Sequence, residues 1–246
     1  MLNAVVLAGS GDDDKLPNKP LLKIRNKPMI LYVTDALKAT GIVDKIVIVG
    51  NAKNLAPLFN GDDICHVING GKNMMDNLVL GVKYLGDSER VLVLTSDIPM
   101  ITPEAIVDFV EKARAIGGDF CYPIVKKEVN KQKFPGAKRT YARLREGTFT
   151  GGNIIYMNPR IIDNLMDKAQ QVIENRKRPI KLVKMLGWSF TMKFLLGRLT
   201  IPKVEERVSN MLGIDARAII SDYPEIGNDV DKLSDVEMAE NYIKSA

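Results

Sequence analysis

The sequence has little cysteine and almost no histidine. Cys65 and Cys121 are too few for a disulfide framework, and a reducing cytoplasm is the simplest setting for them. His66, the one histidine, follows Cys65 on a run that reads as a strand. A single His–Cys pair lacks the ligands of a zinc site and leaves no Ser-His-Asp triad, so His66 reads as a core or edge residue. No apolar run is long enough to span a bilayer, and the start shows neither the basic lead nor the cleavage site of a signal peptide. Repeats, low-complexity tracts, nucleic-acid motifs and a linker between independent domains are all lacking. So are the P-loop spacing G-x-x-x-x-G-K-[ST] and the dinucleotide fingerprint G-x-G-x-x-G.

What is present is an alternation of apolar runs and helical spacings over a chain of 246 residues with a formal charge of +5. That length suits one large α/β domain, 1–246, and the mild basic excess suits an anionic small molecule. Strands are expected at Ala4–Ala8, Lys45–Val49, Ile64–Ile68, Arg90–Thr95 and Asp119–Val125. Between them, helices are expected over Lys27–Lys38, Met75–Leu85 and, capped by Thr102 with Pro103 first, up to Ile116. Strands alternating with helices predict a mainly parallel sheet. Residues 141–157 change pattern. A hairpin turns at Glu146-Gly147, and Gly151-Gly152-Asn153 interrupts it before Ile154–Tyr156. Residues 159–212 read as a basic helical insert. A late strand (Ala216–Ile220) and an amphipathic helix (Leu233–Ile243) complete the chain.

Three stretches carry chemistry. The first is Leu2–Leu22, LNAVVLAGSGDDDKLPNKPLL. A buried strand stops at Gly9, a loop of small and charged residues follows, and Lys19-Pro20 closes it. Backbone N–H groups from Leu7, Ala8, Gly9 and Ser10 can face a phosphate there, glycine permits close approach, and a lysine adds charge. The second is Thr95-Ser96-Asp97-Ile98-Pro99, where a buried strand runs out. A carboxylate at the carboxyl end of a strand can hold Mg2+ against nucleotide phosphates, or it can simply cap a turn before Pro99. The third is Gly227–Asp235, GNDVDKLSD. Asp229 and Asp231 alternate on an extended segment and so point the same way. One of them reads as a metal ligand, or the pair as a solvated acidic turn. Ser234–Glu237 has the spacing of a capping box.

Together these stretches resemble the GT-A-like nucleotidyltransferases, that is, the sugar-nucleotide pyrophosphorylases and the MobA-like molybdenum-cofactor guanylyltransferases. Their usual form is L-A-G-G, a loop with an Arg, a Lys, and an apolar run ending G-x-P-[ML]-[IL]. Here Leu7, Ala8, Gly9 and Lys19 match, Lys27-Pro28-Met29-Ile30 closes the run, and Thr95–Pro99 matches the family's D-x-P. The three motifs keep the family's order across most of the chain. The resemblance implies a Rossmann-like, GT-A-type sheet flanked by helices. It implies transfer of an NMP unit from an NTP to a phosphorylated acceptor with release of pyrophosphate, dependent on Mg2+. Lys19 would neutralise phosphate charge, and Asp97 with Asp229 or Asp231 would hold the metal. It also places Asn51 and Asn69 near the base or ribose, although both equally suit ordinary loops. Asn153 is a candidate for the acceptor side.

The departures lie in the loop. Ser10 replaces the second glycine, Lys15 stands one residue off the usual Arg, and Asp12–Asp14 put acid where the family has neutral or basic residues. They keep alive a nucleotide-binding partner protein without turnover. A glycosyltransferase of the same fold is a further alternative, but it would carry D-x-D where Ser96–Pro99 stands. The base and the acceptor stay open. The insert combines Arg176, Lys177, Arg178, Lys181 and Lys184 with Trp188, Phe190, Met192, Phe194, Leu195 and Leu196. It suits a lid over an anionic acceptor, a peripheral membrane or partner surface, or a solvated basic face. Gly187 and Gly197 break it, so one continuous interfacial helix is not expected.

Overall fold

A computed structural model describes residues 1–9, 16, 18–163 and 187–245. Its first half is a parallel sheet. Strand β1 (Leu2–Ala8) is followed by a small ribbon, β2 (Lys23–Ile24) and β3 (Lys27–Pro28), and then by helix α1 (Met29–Ala39). α1 begins two residues later than expected because Lys27 and Pro28 pair with Lys23 and Ile24. Next come β4 (Val43–Gly50), the short α2 (Ala52–Leu55), β5 (Cys65–Asn69), α3 (Met74–Leu85) and β6 (Val91–Thr95). The strands lie in the order β5-β4-β1-β6, all parallel. β1 is apolar on consecutive residues because helices cover both its faces. Ala4, Val6 and Ala8 face Ile30, Val33 and Leu37 of α1 and Ile106 and Phe109 of α4 (Pro103–Ile116). Val5 faces the other way, with Leu78 and Val82 of α3.

The chain leaves β1 in one direction, to β4 and β5, and returns on the other side at β6. That reversal opens a crevice beyond the carboxyl ends of β1 and β6, where α/β sheets of this kind receive ligands. Thr102 caps α4 as expected, accepting a hydrogen bond from the N–H of Ala105, with Pro103 in the first turn.

The second half makes the sheet mixed rather than simply parallel. β7 (Phe120–Lys126), α5 (Lys127–Lys133), β8 (Ala142–Leu144), β9 (Gly147–Gly151) and β10 (Ile154–Met157) follow, then α6 (Trp188–Leu195), α7 (Ile201–Leu212), β11 (Ala216–Ser221) and α8 (Leu233–Ser245). β10 runs antiparallel between β6 and β7, while β11 lies parallel to β7. One end of β7 pairs with β10 and the other with β9, and β8 completes the expected hairpin. The residues between β9 and β10 make the bend. A Cβ on Gly152 would stand 2.5 Å from a methyl of Ile226, so only glycine lets the chain pass. α5 was not expected, because Lys-Glu-Val-Asn-Lys-Gln-Lys has no apolar stripe.

A third, smaller core gathers Ile24, Met29, Phe134, Val230 and Ala239, with the Phe134 and Tyr242 rings 5.0 Å apart. It ties α8 to the entrance of the crevice. Of the expected insert, the described parts are a 3-10 turn at Pro159–Ile161 followed by α6 and α7. Among the described residues no helix is long and apolar enough to cross a membrane. His66 lies on edge strand β5 beside the Tyr84 ring, as an edge residue should.

Candidate active site

Among the described residues, the ammonium of Lys19 stands among carboxylates at the crevice end of the sheet. Lys19 donates from Nζ to Asp97 Oδ2 at 2.6 Å and to Asp231 Oδ1 at 2.5 Å. Asp97, Asp229 and Asp231 each offer a carboxylate oxygen, and these oxygens lie within 4.8 Å of one another. Lys19 and Asp97, both expected at this end of the sheet, do open onto the same space. The Lys19 side chain is buried, which by itself lowers the pKa of its amine. The charge of Asp97 and the hydrogen bonds to Asp231 and Asp97 outweigh burial and raise it above its ordinary value.

Each carboxylate is aimed by its neighbours. Thr95 Oγ1 donates to Asp97 Oδ1 at 2.5 Å from the last position of β6. The backbone N–H of Val230 donates to the Asp97 carbonyl at 2.9 Å. Val230 is buried in the third core, so Asp229 and Asp231 on either side of it turn outward together, as their alternation predicted. Asp229 is ion-paired with Arg139, which also donates to the Gly151 carbonyl at 3.4 Å. Arg139 carried no motif and lies in a loop; its role is visible only in the fold.

The acidic segment hangs from a buried amide pair. Asn228 Nδ2 donates to Asn130 Oδ1 and to the Pro224 carbonyl, each at 2.7 Å, and Asn130 Nδ2 donates to the Tyr141 hydroxyl at 3.0 Å. Beside it, Lys133 pairs with the buried Glu225 at 3.0 Å. The capping box expected at Ser234–Glu237 is not how α8 begins. The helix starts at Leu233, and Asp235 accepts from the backbone N–H groups of Asp231 and Lys232. Its carboxylate thus caps the helix and holds Asp231 in place.

The residues expected on the nucleotide side lie at strand ends. Leu7 and Ala8 lie within β1, and Leu7 is paired with Val49 on one side and Thr95 on the other. Gly9 is the first residue beyond the ladder. A Cβ there would stand 2.4 Å from Asn77 Nδ2. Asn77, buried in α3, accepts from the Gly71 N–H at 2.7 Å and so braces two loops at once. Its signal was an amide on the apolar stripe of α3, next to Leu78 and one turn before Gly81. Ser10, Asp12–Asp14 and Lys15 lie outside the described residues. Asn51 caps α2, accepting from the Asn54 N–H, and Asn69 Oδ1 accepts from the Ala52 N–H at 3.3 Å. Both are exposed at adjacent strand ends. Asn153 sits at the bend: its carbonyl accepts from Thr95, its N–H donates to Ile226, and its Nδ2 is buried without a hydrogen-bond partner. The thiols of Cys65 and Cys121 are buried, which pushes them up to about 12 and about 11, so neither is a ready nucleophile.

The donor set suits a hard divalent cation. It consists of oxygens only, and among the described residues two cations, Lys19 and Arg139, face three carboxylates, leaving negative charge over. An α/β sheet with such a site at its reversal point is that of a nucleotide-handling transferase. The chain belongs to the family of MobA-like NTP transferase domains, whose model matches residues 4–178, and so to the nucleotidyltransferases. Among solved structures, a hypothetical transferase from Thermus thermophilus is 38% identical, with a TM-score of 0.82 over 96% of this chain and 99% of that one. The 2-C-methyl-D-erythritol 4-phosphate cytidylyltransferase of Clostridium novyi is 26% identical over 50% of this chain and 56% of its own length. The probable molybdenum cofactor guanylyltransferase of Thermococcus gammatolerans is 29% identical over 50% of this chain and 62% of its own. The chain thus spans little more than half the length of these two relatives.

Proposed function

We propose that the protein transfers an NMP unit from an NTP to a phosphorylated small molecule, with Mg2+ as cofactor. The observation that carries this reading is the meeting of Lys19 with Asp97, Asp229 and Asp231 at the reversal point of the sheet. An oxygen of the acceptor phosphate attacks the α-phosphorus. The bond from that phosphorus to the bridging oxygen breaks, and pyrophosphate leaves with the electron pair. The acceptor is already an anion at neutral pH, so no general base is needed, and the task is positioning and charge neutralisation. Mg2+ held by the three aspartates would supply Lewis-acid charge at the phosphoryl oxygens.

Each side chain then has a task. Lys19 keeps its proton and offsets the charge of the α-phosphate and the departing pyrophosphate. Thr95 fixes the Asp97 carboxylate. Arg139 prevents the Asp229 carboxylate from turning away. Gly9 and the loop after it receive the triphosphate, Asn51 and Asn69 stand toward the nucleoside, and Asn153, at the bend, is the candidate on the acceptor side. The relatives' names include a cytidylyltransferase and a guanylyltransferase, so CTP and GTP are the first nucleotides to try. The test is pyrophosphate release from the four NTPs with Mg2+ and a panel of sugar, alcohol and pterin phosphates. Release with one NTP that depends on both acceptor and metal supports the reading. Metal-dependent binding of an NTP with no release from any pair would instead favour a nucleotide-binding protein without turnover.

A further inference from the structure

Helix α6 buries none of its residues. Trp188, Met192 and Leu195 follow at i, i+4 and i+7 and share one face. Trp188 is 71% exposed, Leu195 72%, and Leu196, just past the helix end, 56%. The helix is held beyond its C-terminal end rather than by this face. At its start Gly187 accepts from the Thr191 hydroxyl at 3.1 Å, a bond local to the helix. Beyond the C-terminal end, the buried Leu199 accepts from the Arg145 N–H at 2.8 Å, and the Ile201 N–H donates to Glu146 at 3.0 Å. The apolar ridge is thus fastened to the β8–β9 hairpin with its large side chains in water.

Charge says what covers it. Lys193 on the helix, Arg198 in the turn after it and Lys203 in the first turn of α7 are exposed, with no acidic residue between them. The sequence from 176 to 203 holds eight of the chain's 35 Lys and Arg and none of its 30 Asp and Glu, so the remainder of the chain is net acidic. A second copy of this ridge would bring cation against cation. An anionic bilayer offers both halves of the match: an apolar interior for the ridge and phosphates for the cations. Trp at the edge of such a ridge sits naturally at headgroup level, and a helix of this length, roughly 12 Å, lies in the interface rather than crossing it. We propose that α6 and the turn after it dock the protein on anionic phospholipid membranes.

Trp188 is the only tryptophan, so intrinsic emission reports on this helix alone. Phosphatidylcholine vesicles with and without phosphatidylglycerol are titrated into the intact protein at low ionic strength. The expected result is a blue shift with the anionic vesicles, at an affinity about tenfold or more above that for pure phosphatidylcholine, and its loss in high salt. The variant with Leu195→Glu and Leu196→Glu keeps Trp188 as reporter and alters only exposed side chains. It should lose the shift while retaining its circular dichroism spectrum. The proposal is overturned by no shift with either vesicle, or by a shift that follows protein concentration without lipid, which would mean a second copy. It is equally overturned by an emission already blue in the free monomer and unmoved by vesicles, which would mean the chain covers its own ridge.

Discussion

Val230 donates its backbone N–H to the carbonyl of Asp97 at 2.9 Å, joining the segment before α8 to the end of β6. This one hydrogen bond sets the spacing of the acidic group. It places Asp229 and Asp231 beside Asp97 whatever their own charges prefer. Like charges would otherwise separate, and Lys19 and Arg139 are what make their approach tolerable.

Lys19→Ala and Asp97→Asn should therefore fail in different ways. Losing the ammonium should lower turnover by about a hundred- to a thousandfold, by analogy with losing one transition-state donor. Mg2+ should still bind, since the carboxylates remain. Asp97→Asn should weaken Mg2+-dependent nucleotide binding itself. Magnesium titrations followed by thermal shift, alongside turnover, distinguish the two. Normal turnover in Lys19→Ala, or an unchanged titration in Asp97→Asn, would remove that residue from the scheme.

Asn228 lies outside the ligand set yet should control it. Asn228→Ala leaves Asn130 Oδ1 and the Pro224 carbonyl without their donor in a buried place. The cost is about 1–3 kcal/mol of stability, seen as a lower urea midpoint. Because the same residue anchors 229–231, the stabilisation by Mg2+ with nucleotide should shrink as well. A variant with lower stability but an undiminished ligand-induced shift would show that the amide pair supports the fold alone.

The pH dependence follows from charge pairing. Burial lowers the pKa of Lys19, but its carboxylate partners more than reverse this, so the folded value lies above the ordinary 10.5. Its contribution to stability is fully present below 10.5 and is lost as pH rises through the folded value. Lys133, beside Tyr242 and Glu225, is shifted the same way. Asp62 moves oppositely. Burial raises it, but the Lys38 hydrogen bond and two backbone N–H donors bring it below 3.8, so its contribution is lost as pH falls through that lowered value. Urea midpoints should decline at both extremes. In Lys19→Met the alkaline decline should be shallower than in the parent, and an identical alkaline limb would contradict the pairing.

The parts of this site that were legible lay where a motif and a strand end coincide. Lys19, Asp97 and Asp231 could be named because glycines, a D-x-P and an alternating acidic segment mark the strand ends and the extended run that bring them together. Asn130 and Asn228 could not, because the meaning of each amide is a partner 98 residues away. Arg139 was hidden for the same reason. α5 escaped because its residues have no apolar periodicity; Lys133 earns its place through Glu225, a tertiary contact. The mixed second half of the sheet depends on β7 sharing its edge between β9 and β10, a pairing that local patterns do not encode.

The bend at Gly151-Gly152-Asn153 and the bond from Val230 to Asp97 also govern when the site can exist during synthesis. A ribosome that has delivered the chain as far as α4 has already supplied the parallel strands, with Lys19 and Asp97 among the residues made. It still lacks the carboxylates of 229 and 231, which emerge only after β11. The growing polypeptide is thus unable to bring its three aspartates together until almost every other element has been translated. Under the proposed function, affinity for metal with nucleotide would then be a late checkpoint, registering that the last sheet contacts have closed.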